Sequence, residues 1–199
     1  AARRQPVILA LEVSAREQSR FDRYMGSRDT AADRAALLAG DHWREAHHDG
    51  RDSQAMFELI AHARRLHAGG APVSLLAFDA GGEDRNRGMA DCLRAALSRR
   101  PEATVLVLTG NVHAMTRRPP WTLGDEQGHP IEPPMTTGRY LAALAPLSVD
   151  IQAARGAFWA CTESGCHVRA VTPGRMPGMS RNGADGAWDY ELVLPRFTP

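Results

Sequence analysis

The chain has 199 residues, of which 43% are hydrophobic and 24% charged; this is a globular balance that excludes a disordered chain and fits one domain. Its 24 basic residues, all arginine, face 23 acidic ones for a formal net charge of +1, so no gross attraction to nucleic acid or an anionic membrane surface is expected. The absence of lysine excludes a Schiff-base mechanism, and no apolar run is long enough to predict a membrane-spanning helix.

The chain begins "AARRQPVILALE", a basic pair running straight into a strand. That reads as the middle of a fold, and a further strand is expected upstream of residue 1. Residues 6–12, "PVILALE", form a continuous apolar run ending in a carboxylate, the pattern of a strand buried on both faces of a parallel sheet. "SAREQSRFDRYM" predicts a helix capped by Ser14, with Glu17 three residues on. "DTAADRAALLAG" predicts a second helix, begun by Asp29 or Thr30 and stopped by Gly40. "DHWREAHHDGRDS" is polar and irregular. "SQAMFELIAHARRLHAGG" predicts a helix capped by Ser53 and ended by Gly69 and Gly70. "PVSLLAFDA" reads as a second apolar strand ending in Asp79, "DRNRGMADCLRAALSRR" as the next helix, and "ATVLVLTG" as a third buried strand.

Strand and helix thus alternate, which predicts an α/β fold with a largely parallel central sheet flanked by helices. Beyond residue 114 the pattern loosens. Residues 116–138 are rich in Pro and Gly, hold Trp121 and His129, and read as a long flap. "RYLAAL" is a short helix. "LSVDIQAA", "GAFWAC", "CHVRAV" and "WDYELVL" alternate as short antiparallel strands would. No internal repeat or linker divides the chain, so residues 1–199 are taken as one domain.

In open parallel α/β sheets, ligands bind beyond the carboxyl ends of the strands. The three apolar runs deliver Glu12, Asp79, and Asn111 with His113 to that edge. Each has a plainer reading: Glu12 as a helix cap or arginine partner, Asp79 as an Asx-turn residue, His113 as a hydrogen-bonded histidine at a helix start. Their coincidence at three strand ends favours a site. Arg85 and Arg87 open the helix after Asp79, either as a solvated face or as a clamp on substrate or carboxylates. Asp49 and Arg51 lie in a tight turn, and His47 and His48 beside them are a weak metal candidate. Cys161 and Cys166 flank a Ser-Gly turn in "CTESGC". No second cysteine pair completes a metal site, so a disulfide-closed hairpin is expected, which implies an oxidising compartment such as the periplasm or the exterior of a bacterium. Cys92 sits in a helical pattern as a small hydrophobe.

On "VILALE", "FD…DRNRGMA" and "LVLTGNVHAM", residues 7–115 resemble the superfamily that groups the TraB and Tiki proteins, the ChaN-like haem-uptake lipoproteins and the erythromycin esterases. Members carry two Gly-x-x-His motifs. The second matches Gly110-Asn111-Val112-His113, and the family glutamate after the next strand matches Glu12. The first, a Gly-Glu-x-His pattern, is absent from this chain. Either the strand that bears it lies upstream of residue 1, or this is a divergent member with a reduced site.

The resemblance implies metal-assisted or Glu/His general-base hydrolysis of an ester or amide. His113 would be base or metal ligand, Glu12 would bind a divalent metal or orient water, and Asp79 would hold the imidazole or an arginine. Arg85 and Arg87 would stabilise developing negative charge, and Asp49, Arg51 and Asn111 would complete a small-molecule site. The ChaN-like branch implies an alternative, a haem or small-ligand carrier with Tyr24, Tyr140, Met115 or histidines as axial ligands. No G-x-S-x-G elbow and no H-E-x-x-H helix is present.

Overall fold

The apolar run that opens the chain becomes the middle strand of a parallel sheet. The computed structural model of the protein describes residues 5–44, 50–119, 123–124, 130–162, 165–182 and 186–198. Contacts divide the chain into two units, Ala1–Thr109 with Cys161–Cys166, and Gly110–Ala160 with His167–Pro199; each is described in turn.

In the first unit β1 (Val7–Ser14) lies between β2 (Val73–Asp79) and β3 (Thr104–Leu108), both parallel to it. Residues Ala10 to Val13 of β1 are all buried, as a central parallel strand covered on both faces requires. Between β1 and β2 run α1 (Gln18–Met25), α2 (Ala31–Leu38) and α3 (Gln54–Ala68). α4 (Arg85–Arg99) connects β2 to β3. α1, α3 and α4 all pack on β2. Leu11, Val13, Phe21, Tyr24, Leu37, Ile60 and Leu75 meet in the main core.

The local signals act as their chemistry dictates. Thr30 caps α2 in a capping box with Asp33. Ser53 Oγ accepts from Met56 N at 3.3 Å to start α3, and Gly70 takes the left-handed φ of 83° just past its end. One expectation is overturned: β3 is not buried. Leu106, Val107 and Leu108 are 54%, 42% and 38% exposed. β3 is the edge of this sheet, and no strand pairs with its outer side among the described residues. Its packed residue is Val105, against Ile8, Ala96 and Ala103.

The second unit holds α5 (Thr137–Tyr140) and the short antiparallel pair β4 (Leu123–Gly124) and β5 (Pro130–Ile131). It also holds a mixed sheet of β6 (Val149–Ala153), β9 (Gly178–Arg181) and β10 (Tyr190–Leu194), ordered β6-β10-β9. β10 runs antiparallel to β9 but parallel to β6, so the expectation of antiparallel strands throughout fails for that pair. β7 (Ala157–Thr162) and β8 (Gly165–Ala170) form a two-stranded ribbon closed by the expected Cys161–Cys166 disulfide. Cys92 is half-buried on α4, and burial pushes its thiol up. Of the flap, residues 120–122 and 125–129, with Trp121 and His129, lie outside the described residues. No helix among the described residues is long and apolar enough to cross a membrane.

Candidate active site

Parallel register brings three strand ends to one level. Leu11 of β1 stands opposite Leu108 of β3, so the next residues, Glu12 and Thr109, are neighbours. On the other side the register shifts after Leu11, and Ser14 pairs with Asp79. Glu12 is only 4% exposed, so its carboxylate must find donors within the protein. It finds them in three segments. Oε1 accepts from Arg51 Nη1 at 2.5 Å and from Arg85 Nη2 at 2.7 Å, and Oε2 accepts from Thr109 Oγ1 at 2.5 Å.

Arg85 at the first turn of α4 forks onto Asp79. Its Nε lies 3.0 Å from each carboxylate oxygen, and its Nη2 2.7 Å from Oδ2. The turn before it is built by Gly81 and Gly82, at φ 63° and 92°. Gly81 N also donates to Asp79 Oδ1 at 3.0 Å, and Asp84 caps the helix through Arg87 N. Burial pushes the Asp79 carboxyl up, but the Arg85 and Gly81 bonds outweigh it and hold the pKa below the ordinary carboxylate value. Arg85 is raised in turn, first by its bond to Asp79.

Arg51 arrives from the turn after Gly50, whose φ is 91°. Its backbone carbonyl accepts from His42 Nε2 at 3.1 Å, and His42 is 8% exposed. Two carboxylates and two guanidiniums therefore interlock, and their charges cancel. Arg85, read from sequence as a clamp on either substrate or carboxylates, is directed at the carboxylates. Arg87 is exposed and contributes its backbone N–H to the cap. Asp49, with His47 and His48, lies outside the described residues.

Asn111 and His113 belong to the second unit. Gly110 to Met115 form one tight turn, in which Ala114 N donates to Gly110 O at 3.2 Å and Met115 N to Val112 O at 3.3 Å. Asn111 is exposed and His113 half-buried.

Sequence reading missed Thr109 and His42. Thr109 was legible in principle, because parallel pairing puts the residue after Leu108 beside the residue after Leu11; His42 carries no local signal. The donor set around Glu12 does not fit a divalent cation. Both oxygens already accept strong bonds, and two guanidiniums stand where a cation would meet repulsion. Among the described residues no group of three or more His, Cys, Asp or Glu is placed to hold a metal. Haem fits no better at two of the expected axial ligands. Tyr24 is 2% exposed with its hydroxyl donated to Asp29, and Met115 is 2% exposed.

This architecture, a parallel β-sheet flanked by helices and followed by a mixed sheet, is an erythromycin-esterase-like fold. A solved structure of the erythromycin esterase EreC, a single-residue mutant in its open conformation, superposes with a TM-score of 0.64 at 8% sequence identity, covering 96% of this chain and 83% of that one. No protein-family model matches the chain, and no curated protein sequence matches it.

Proposed function

We propose that the protein hydrolyses an ester or amide of a small molecule, with His113 as general base. The observation that carries this reading is the convergence of Glu12, Asp79 and Thr109 at the carboxyl ends of three parallel strands, where open α/β sheets bind ligands. The fold that the chain shares with an esterase supports it.

In this reading the two carboxylates and the histidine do different work. Here the Glu12 carboxylate, whose oxygens already accept from two arginines and a hydroxyl, holds donors in place. Glu12 is therefore an anchor for Arg51 and Arg85, and Asp79 fixes the Arg85 fork. His113 follows Thr109 by four residues in the chain and is the residue type suited to move a proton near neutral pH. The imidazole would take a proton from water as its oxygen attacks the acyl carbon, and collapse of the tetrahedral intermediate would break the ester or amide bond, the leaving alcohol or amine taking that proton back from the imidazolium. The related proposals, that the protein belongs with the TraB, Tiki and ChaN-like proteins and works in a periplasmic or secreted setting, draw on the Gly110–His113 motif and on the disulfide.

The test is turnover of a panel of activated esters and amides by the wild-type chain, His113→Ala and His62→Ala. His62 lies on the exposed face of α3 and serves as the control. The expected result is a loss of about 10²-fold or more in kcat for His113→Ala, the scale of a missing general base, with His62→Ala unchanged. A panel on which wild type and His113→Ala behave alike would overturn the proposal.

A further inference from the structure

The turn that bears His113 is braced by two other segments of the second unit. Its alternate carbonyls each accept a hydrogen bond from elsewhere in the second unit, one from Trp188 and two from the start of α5. Asn111 O accepts from the Trp188 indole Nε1 at 2.9 Å. His113 O accepts from Gly138 N at 2.9 Å. Met115 O accepts from Thr136 Oγ1 at 2.6 Å, and Thr136 is 2% exposed. A turn of this length needs none of these bonds to close, since Ala114 N and Met115 N already do so from within. Three outside donors to one turn are what a preformed site requires, because a small displacement of a reacting group lowers rate steeply.

The braces are themselves anchored. Arg117, two residues past Met115, grips the strand approach to β10: its Nη2 donates to Trp188 O, its Nε to Gly186 O and its Nη1 to Asp189 Oδ1, each at 2.6 Å. The turn thus fixes Trp188 through Arg117, and Trp188 returns to the turn at Asn111. Gly138 is set by space. A Cβ there would lie 2.5 Å from Met115 O and 2.9 Å from Met115 C, against backbone that cannot swing aside.

We propose that Trp188, Gly138 and Thr136 are positioning residues for His113, holding the backbone of its turn so that the imidazole keeps one direction. The inference rests on the reading of His113 as the base, and its test separates the two. Each of the chain's eight histidines gives imidazole nitrogen–proton correlations by NMR, and those of His113 are assigned by their loss in His113→Ala. Trp188→Phe keeps an aromatic side chain and removes the indole donor. The expected result is a shift of the His113 correlations, with those of the other histidines in place and kcat lower by about tenfold at unchanged KM, the cost of a lost hydrogen bond of about 1.4 kcal/mol. Thr136→Val should move the same signals and Thr136→Ser should restore them. His113 correlations that stay put in folded Trp188→Phe and Thr136→Val, whatever their loss of thermal stability, would overturn the proposal, because the bonds would then serve stability alone. Signals that move while His113→Ala retains full turnover would leave the bracing intact and remove the reading of His113 as the base instead.

Discussion

Glu12 is an acceptor for three segments that lie far apart in the chain: Arg51 is 39 residues away, Arg85 73 and Thr109 97. A buried carboxylate of this kind organises its surroundings only while every donor is present, since removal of one leaves charge that water cannot reach. Arg85 serves both carboxylates, so its loss falls on Glu12 and Asp79 together. Arg85→Met is expected to destabilise the protein by about 2–4 kcal/mol, below the figure for a fully enclosed pair because solvent reaches part of the guanidinium. Arg85→Lys should recover only part of this, as a point charge cannot reproduce the fork onto Asp79. Urea unfolding midpoints of the variants check the order, and a lysine variant as stable as wild type would contradict the account. The same residues explain which parts of the site were legible in the sequence. Glu12 and Asp79 stand at the ends of apolar runs, where periodicity and the strand-end rule point to them. Arg51 and Thr109 join Glu12 only through register and loop path, which no local pattern carries.

At the scale of elements, helices with strong caps follow their sequence, as Thr30 and Asp33 do for α2 and Ser53 for α3. Misreadings fall where a partner strand decides. An apolar run such as "TVLVL" specifies a strand but not whether a neighbour covers it, and β3 lies at the sheet edge. The alternation in "WDYELVL" specifies β10 but not the parallel direction of β6 beside it. β9 lies in a Pro- and Gly-rich stretch without alternation and forms by pairing with β10. Gly40 shows a residue read correctly in place and differently in cause. It follows α2 as expected of a terminator, yet its φ is not positive. Its function is close approach: a Cβ there would sit 2.0 Å from Glu17 Oε2, and Glu17 is 4% exposed. Gly40→Ala must displace that carboxylate from its ion pair with Arg20, at 3.2 Å. The expected loss is about 1–3 kcal/mol, typical of overpacking. Glu17→Ala should make room for the methyl group, so the double variant should lose less than the sum of the two single variants. Additive losses in thermal unfolding would place the effect of Gly40 elsewhere.

Across the whole molecule, the response to acid is set by carboxylates that folding pairs with arginines. Asp29 is held at about 2, first by its bonds from Arg34 and then by the Tyr24 hydroxyl. At Asp79 burial pushes the carboxyl up, but the Arg85 fork prevails. At Asp189 burial acts the same way and is outweighed by Ser148 N–H and Arg117. Each folded pKa lies below its unfolded value, so the unfolded chain binds more protons in the acid range and stability must fall as pH falls. The contribution is complete above the ordinary aspartate value, 3.8, and for Asp29 is lost toward about 2. Asp150 runs the other way. It is 7% exposed on β6, opposite Glu191 of β10, and its Oδ1 has no hydrogen-bond partner. Burial raises its pKa, the Gln152 bond to Oδ2 lowers it, and Glu191 raises it further. Its folded pKa exceeds the unfolded one, so its ionised form is a liability that grows as pH rises through that folded value. Asp150→Asn keeps an acceptor for Gln152 and removes the charge. It is expected to stabilise the protein at neutral pH by about 1 kcal/mol, with the gain shrinking in acid, where wild-type Asp150 is itself neutral. Thermal unfolding between pH 7 and pH 3 at high salt, which screens diffuse repulsion more than close ion pairs, should give an acid limb for both proteins, with the two curves converging at its lower end. A wild-type midpoint that stays level into acid would refute the arginine-pairing account, and an Asp150→Asn curve parallel to wild type at every pH would refute the burial of charge at β6.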